Sequence, residues 1–229
     1  MAQALPALAA INLEFRKPAQ SVCVGDPVRI GLYAVSSDAS TPVLAAIDLV
    51  FSWDPAYLDL QGVDGTGATT LFGSFFPPSD PFGLNEVVPP QDGDGLYIAY
   101  APLGTPVPAT PAGTLITTFV FTAIANTPGP SFVTIEPTGG TPLIATNVWS
   151  GVEPGTPVTG TLDFARVGVG FQICPGDIDD DLDIELTDLS LMLSVFGSIG
   201  SHPADLDCDD DVDLTDLSML LSYFGGSCP

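Results

Sequence analysis

Pro27-Val-Arg-Ile-Gly-Leu-Tyr-Ala-Val35 alternates apolar residues with polar or small ones. A period of two sends successive side chains to opposite faces of an extended chain, so the stretch reads as a strand with one buried face. The pattern returns in 45–53, 58–63, 95–100, 115–124, 131–136 and 161–171. Clusters of Gly, Pro, Asp and Thr separate these segments, as hairpins and Greek-key connections require. The expectation is a mainly β region of about nine strands, packed as two sheets so that each hides its apolar face.

Composition agrees. The chain has 229 residues, 24 Gly and 23 Pro, a turn-rich content that suits a β fold. Asp and Glu number 28 against 4 Lys and Arg, for a net charge of −24. Such a surface repels nucleic acid and anionic membranes, so neither is expected as a partner. Charged residues are only 14% and hydrophobic ones 45%, which separates the chain from acidic disordered polymers. No apolar run is long enough for a membrane-spanning helix. The first ten residues are small and apolar without a basic region, and read as a trimmed start. Few lysines, much Thr, Pro and Gly, and four cysteines without a Cys-x-x-Cys spacing point to an extracellular, secreted protein with disulfides.

The acids are unevenly spread. Residues 174–229 hold fourteen of them and no Lys or Arg, while all four basic residues (Arg16, Lys17, Arg29 and Arg166) lie upstream. Two modules are therefore expected, 8–173 and 174–229. Within the second, Asp177-Ile-Asp-Asp-Asp-Leu-Asp-Ile-Glu-Leu-Thr-Asp188 repeats as Asp205-Leu-Asp-Cys-Asp-Asp-Asp-Val-Asp-Leu-Thr-Asp216. Each is a twelve-residue loop with Asp at places one, three, five and twelve: Asp177, Asp179, Asp181 and Asp188, then Asp205, Asp207, Asp209 and Asp216. That spacing converges carboxylates on one hard cation in an EF-hand-type loop. Place seven, Asp183 or Asp211, would add its backbone carbonyl. Place nine, Glu185 or Asp213, would act directly or through water. So many oxygen ligands favour calcium, one ion per loop and two in all. The apolar eighth residues, Ile184 and Val212, are expected to pair the two loops back to back.

Place six normally holds Gly because the backbone turns through positive φ there. Here it is Leu182 in one loop and Asp210 in the other. Asp tolerates that conformation and Leu does not, so the first site is expected to be the weaker. Each loop runs into a helix, 186–196 or 214–224. Leu189, Met192, Leu193 and Phe196 form a stripe at helical spacing, matched by Leu217, Leu220, Leu221 and Phe224. Gly197 and Gly225 stop the helices.

On these residues, the segment 174–229 resembles a type I dockerin domain: two Asp-x-Asp-x-Asp…Leu-Thr-Asp-Leu repeats, each closing with Phe-Gly. Residues 8–173 resemble a cohesin-type jelly-roll sandwich. That likeness rests on Val43-Leu-Ala-Ala-Ile-Asp-Leu-Val-Phe-Ser-Trp-Asp-Pro-Ala-Tyr-Leu-Asp-Leu-Gln-Gly-Val63 and Gly113-Thr-Leu-Ile-Thr-Thr-Phe-Val-Phe-Thr-Ala123. Several carbohydrate-binding modules share the sandwich. The resemblance implies a partner, a cohesin-type domain of another or the same protein. It maps the partner contacts onto Leu186, Thr187, Leu193 and Ser194, and onto Leu214, Thr215, Leu221 and Ser222. The two sets are identical in residue type, which implies docking in either of two orientations. The family's Lys or Arg on that helix is missing here.

Four cysteines allow three pairings. The internal symmetry that the dockerin resemblance implies favours Cys174–Cys228, as a clasp. Cys23 and Cys208 are then free or tie the sandwich to the second loop, and Cys23–Cys174 is the rival. Phe72, Phe75, Phe76 and Phe82 could form a sugar-stacking platform or plug the end of the sandwich. With one histidine, His202, in a connector, and no Gly-x-Ser-x-Gly or phosphate loop, the chain shows no nucleophilic or phosphoryl machinery. An acid pair drawn from Asp54, Glu86, Asp92 and Asp94 would be needed for glycoside hydrolysis, and these mostly sit in turn contexts. The expectation is a non-catalytic protein that assembles through calcium-dependent docking, linked to extracellular polysaccharide binding or degradation. The alternative is a carbohydrate-binding module displayed through a docking tail.

Overall fold

The computed structural model describes residues 10–17, 22–69, 73–78, 80–102, 105–170, 174–179, 181–200 and 202–227. In chain order the strands are β1 (Ile11–Arg16), β2 (Pro27–Ser36), β3 (Val43–Ser52), β4 (Leu58–Asp64), β5 (Ser74–Phe75), β6 (Asp94–Tyr100) and β7 (Val107–Pro108). They continue with β8 (Thr114–Ala123), β9 (Ser131–Glu136), β10 (Thr138–Gly139), β11 (Ile144–Ala145), β12 (Asn147–Ser150), β13 (Thr159–Leu162) and β14 (Phe164–Val167). The helices α1 (Leu186–Ser194) and α2 (Leu214–Tyr223) follow.

The strands form two main sheets. One runs β13-β1-β2-β8-β4, and the other runs β14-β9-β3-β6-β5, with β12 and β7 also paired to β3. The core lies between them and is aromatic at its centre. Phe119 stacks edge-on against Phe51 at 4.9 Å, Tyr97 at 5.2 Å and Phe15 at 5.4 Å between ring centroids. Trp53 is buried and donates its indole N–H to the Leu58 carbonyl at 2.9 Å, which pins the Asp54-Pro55 turn between β3 and β4.

The strand periodicity transfers to the structure with three corrections. First, the expected strand 161–171 is two strands. It breaks at Asp163, whose N–H donates to Leu13 O while its Oδ1 accepts the Phe164 N–H. The chain thereby leaves β1 in one sheet and joins β9 in the other, the usual way a strand turns a sandwich corner. Second, β1 was not anticipated, although Ile11, Leu13 and Phe15 alternate and are all buried. Third, about nine strands become fourteen among the described residues, four of them only two residues long.

The irregular stretch 64–95 makes a second, smaller core on the outer face of β3 and β6. Val50, Leu84 and Leu96 are buried there, with Phe82 and Ile144 packed against them. The Asp80 carboxylate holds this cap by accepting the N–H groups of Phe82, Leu84 and Asn85. Phe76 is buried in the main core and Phe75 is exposed, so these phenylalanines do not gather into one platform; Phe72 lies outside the described residues.

A separate core belongs to the acidic segment. Ile184, Met192, Ala204, Leu206, Val212 and Leu220 are buried together, with Leu189 and Leu217 packed on them. Both helices end earlier than expected, at Ser194 and Tyr223, and the glycines at 197 and 225 follow with φ of 80° and 82°.

Candidate functional site

Both twelve-residue loops wrap around their first aspartate. The Asp177 carboxylate accepts N–H groups from Asp181 and Leu182, and the Asp205 carboxylate accepts those of Cys208, Asp209 and Asp210. The twelfth residue closes each loop. Asp188 Oδ1 accepts Ile178 N–H at 2.6 Å and its Oδ2 accepts Glu185 N–H at 2.8 Å; Asp216 does the same with Leu206 N–H at 2.5 Å and Asp213 N–H at 2.7 Å. Glu185 and Asp213 are the N-caps of α1 and α2, so the twelfth residue is also the N3 member of a capping box. Loop closure and helix start are therefore one structural event.

Carboxylate oxygens of Asp177, Asp179 and Asp188 lie within 4.8 Å of one another, and so do those of Asp205, Asp207 and Asp216. Both sets occupy loop places one, three and twelve. A third group joins Asp211, Asp213 and Asp216. Asp211 thus offers its side chain, where only a backbone carbonyl was expected. Asp181 and Asp209, at place five, instead accept N–H groups from Asp183 and Asp211. Asp183 and Glu185 stand outside the first triad, and Glu185 accepts the Thr187 hydroxyl.

The electrostatics fit a cation. Burial, and then the neighbouring carboxylates Asp181, Asp188 and Asp177, push the Asp179 carboxyl up from its ordinary value. Burial followed by Asp216, Asp209 and Asp205 does the same to Asp207. Asp211 is raised by burial and then by Asp209, Asp213 and Asp216, and its Oδ1 is buried without a hydrogen-bond partner. An all-oxygen, multiply anionic donor set with an orphaned buried oxygen fits a hard divalent ion of calcium type.

Residues at place six have positive φ in both loops, 73° at Leu182 and 68° at Asp210. Leu182 is also exposed, so it holds this conformation with little side-chain burial in return. The eighth residues do not pair with each other. Ile184 exchanges backbone hydrogen bonds with Gly225 and Gly226, after α2, and Val212 with Gly197 and Ser198, after α1. Each loop is zipped to the exit of one helix, and the Phe-Gly closures supply those exits. Ile184 and Val212 are both buried in the shared core.

Helix α1 exposes Leu186 (68%) and Leu193 (53%), and α2 exposes Leu214 (71%) and Leu221 (51%). Neither Leu193 nor Leu221 is core. Thr187 and Thr215 are exposed beside them, and the Ser194 and Ser222 hydroxyls bond back to Leu191 O and Met219 O. The two candidate partner-binding sets therefore match in exposure as well as in residue type.

The two repeats differ where they meet the sandwich. Cys23, just before β2, is disulfide-bonded to Cys208 at place four of the second loop. This realises the tie between sandwich and loop, and it overturns the rival Cys23–Cys174. Cys174 carries no free thiol, and Cys228, its expected partner, lies outside the described residues. A cavity of about 490 Å³ beside the disulfide is lined from both sides, by Asp26 and Asn126 and by Asp207, Asp210 and Met219 among others.

The sequence reading missed a second feature. Phe132 and Phe164 pack edge-to-face at 5.3 Å on the outer face of β9 and β14, both exposed, and Phe132 with Asp54 and Tyr57 lines an open cavity of about 560 Å³. The signal was parity: Phe132 falls between Ser131 and buried Val133, on the side of the strand where polar residues belong.

No protein-family model matches the chain, and no curated protein matches it in sequence. Solved cohesin structures are similar in shape. The cohesin module of a family 33 glycoside hydrolase from Clostridium perfringens is 13% identical, with a TM-score of 0.48, over 70% of this chain and 97% of that one. The cohesin of a type I cohesin–dockerin complex from Clostridium thermocellum is 16% identical, with a TM-score of 0.46, over 69% and 99%. A non-cellulosomal cohesin from Archaeoglobus fulgidus is 9% identical, with a TM-score of 0.45, over 70% and 91%.

Proposed function

We propose that this chain is a non-catalytic, secreted docking protein. Residues 174–229 act as a dockerin-type module that orders around two calcium ions and offers α1 or α2 to a cohesin-type domain. Residues 8–173 act as a cohesin-like second binding module. The observation that carries the reading is the duplication in space. Places one, three and twelve converge twice, each twelfth residue is the N3 member of a helix capping box, and each helix exposes the same Leu/Leu pair. Asp177, Asp179 and Asp188 would hold one ion, and Asp205, Asp207 and Asp216 the other. Asp181, Asp183 and Glu185, and Asp209, Asp211 and Asp213, complete the two shells. The ion supplies charge neutralisation that these acids cannot supply for each other.

Secretion is supported by the disulfides. Among the described residues, no helix is long and apolar enough to cross a membrane. The test is sedimentation of the intact chain over a concentration series, in excess calcium and in chelator. Assembly that grows with concentration only in calcium supports docking onto the same kind of chain. A calcium-compacted monomer sends the search to a foreign cohesin-type partner. Indifference to calcium removes the proposal.

The second reading, a carbohydrate-binding sandwich carried by a docking tail, is favoured by one observation: the exposed Phe132–Phe164 pair beside the Asp54–Tyr57 cavity. It predicts retention on insoluble polysaccharide that survives chelation and is lost in Phe132→Ala/Phe164→Ala.

A further inference from the structure

The second loop differs from the first in being bolted down. Cys208 sits between Asp207 and Asp209, at the middle of the turn that wraps Asp205, and donates its N–H to Asp205 Oδ1 at 2.8 Å. Its φ is 62°, a left-handed conformation that a residue with a side chain keeps only when its surroundings over-determine it. The other end of the disulfide is anchored to the sandwich. Cys23 N–H donates to Asp26 Oδ2 at 3.0 Å, Gly25 N–H to Ala123 O at 2.8 Å, and Gly170 N–H to Val22 O at 2.8 Å.

Val22 and Val24 of the sandwich and Leu206 and Met219 of the acidic segment line the cavity beside the disulfide. Asp26 on the sandwich and Asp207 and Asp210 on the loop line the same cavity, and among the described residues no charge of opposite sign lines it with them. A cavity of about 490 Å³ is also far from tight packing. The covalent bond, closing a span of 185 residues, ties the loop directly to the sandwich. In the first loop, place four is Asp180 and no such bond can form.

We propose that the Cys23–Cys208 disulfide is a positioning element for the second calcium site. It holds the loop in its ligand-converging shape before the ion arrives, so the ordering cost is met when the bond forms and not when calcium binds. The first loop meets that cost on binding. The inference rests on the calcium reading above and adds that the two sites are unequal by construction, with the Cys23–Cys208 bond acting on the second.

The test is calorimetric titration of the full oxidised chain with calcium chloride in two single-site backgrounds. Asp188→Asn disables the first site and reports on the second; Asp216→Asn does the reverse. Adding Cys23→Ser/Cys208→Ser to the first background should weaken calcium binding by about tenfold or more. Adding it to the second background should change binding by less than about twofold. An unchanged second site, or equal losses at both, overturns the proposal. Absence of calcium binding in the unmodified chain overturns the calcium reading instead. Because the cysteine variant can lose structure, amide hydrogen exchange of the unmodified chain in chelator serves as a second measurement. Residues 205–213 should exchange more slowly than 177–185, and equal rates contradict the proposal.

Discussion

Repeat one and repeat two are nearly superimposable in chemistry and differ in mechanical setting. Both wrap an aspartate, close on a capping-box aspartate and zip to a glycine-led helix exit. Repeat one carries Leu182 at the left-handed place six and has no disulfide to the sandwich through place four. Repeat two carries Asp210 there and is bonded to the sandwich through Cys208. The same contrast appears on the helices. Leu191 of α1 is 38% exposed, whereas its counterpart Met219 lines the cavity against the sandwich. A duplicated motif can thus be specialised without touching its ligand set, by changing what holds it.

Removing calcium should have the largest effect. Buried aspartates such as Asp205 already resist ionisation, and without an ion each loop holds several carboxylates close together. An ion present at about a thousand times its dissociation constant stabilises a folded site by about 4 kcal/mol. Chelation should therefore lower the helical circular-dichroism signal, that of α1 more than that of α2, while leaving the sandwich's near-ultraviolet signal from Trp53 and Trp149 intact. Simultaneous loss of both would show the two cores to be one cooperative unit.

Next in size is removal of a single ligand. Asp188→Asn and Asp216→Asn each discard a charge that also completes a capping box, and each should cost about tenfold or more in affinity at its own site. In the helical signal, however, Asp216→Asn should be milder than Asp188→Asn, because the disulfide retains the second loop. Equal loss of helix would erase the distinction between the repeats.

A smaller effect is expected at place six. Leu182→Gly relieves left-handed strain of about 1–2 kcal/mol, less the extra chain entropy of glycine, for a net gain of about 1 kcal/mol at the first site. Asp210→Gly should change the second site by no more than a few tenths of a kcal/mol. A gain at both places, or at neither, would show that residue type at place six does not separate the sites. The smallest contrast is on the helices. Met219→Ala should lower thermal stability by about 1 kcal/mol, and Leu191→Ala by less than about 0.5 kcal/mol.

These contrasts also show what a sequence can carry. Strand periodicity located β2, β3, β4, β6, β8 and β9 to within two residues, because each buries one face and a period of two has no other reading. The convergence of carboxylates at places one, three and twelve was legible because the spacing is local: twelve residues contain the whole loop. The break at Asp163 was not legible, since the residue looks like any outward-facing acid until Leu13 O takes its N–H. The pairing of Ile184 with Gly225 and Gly226 escaped for the same reason, as did the cap over Val50 and Leu96. Their partners are set by tertiary closure over long separations, which composition and period do not encode. The Cys23–Cys208 bond was one of several open pairings until the structure brought the two residues together.

Equilibrium dialysis of the intact, oxidised chain against a calcium series tests the central claim most directly. The account predicts two ions per chain, bound in two resolvable steps, with the tighter step abolished by Asp216→Asn and the weaker by Asp188→Asn. Binding of no ion, or of two ions in a single step that both variants affect alike, would contradict it.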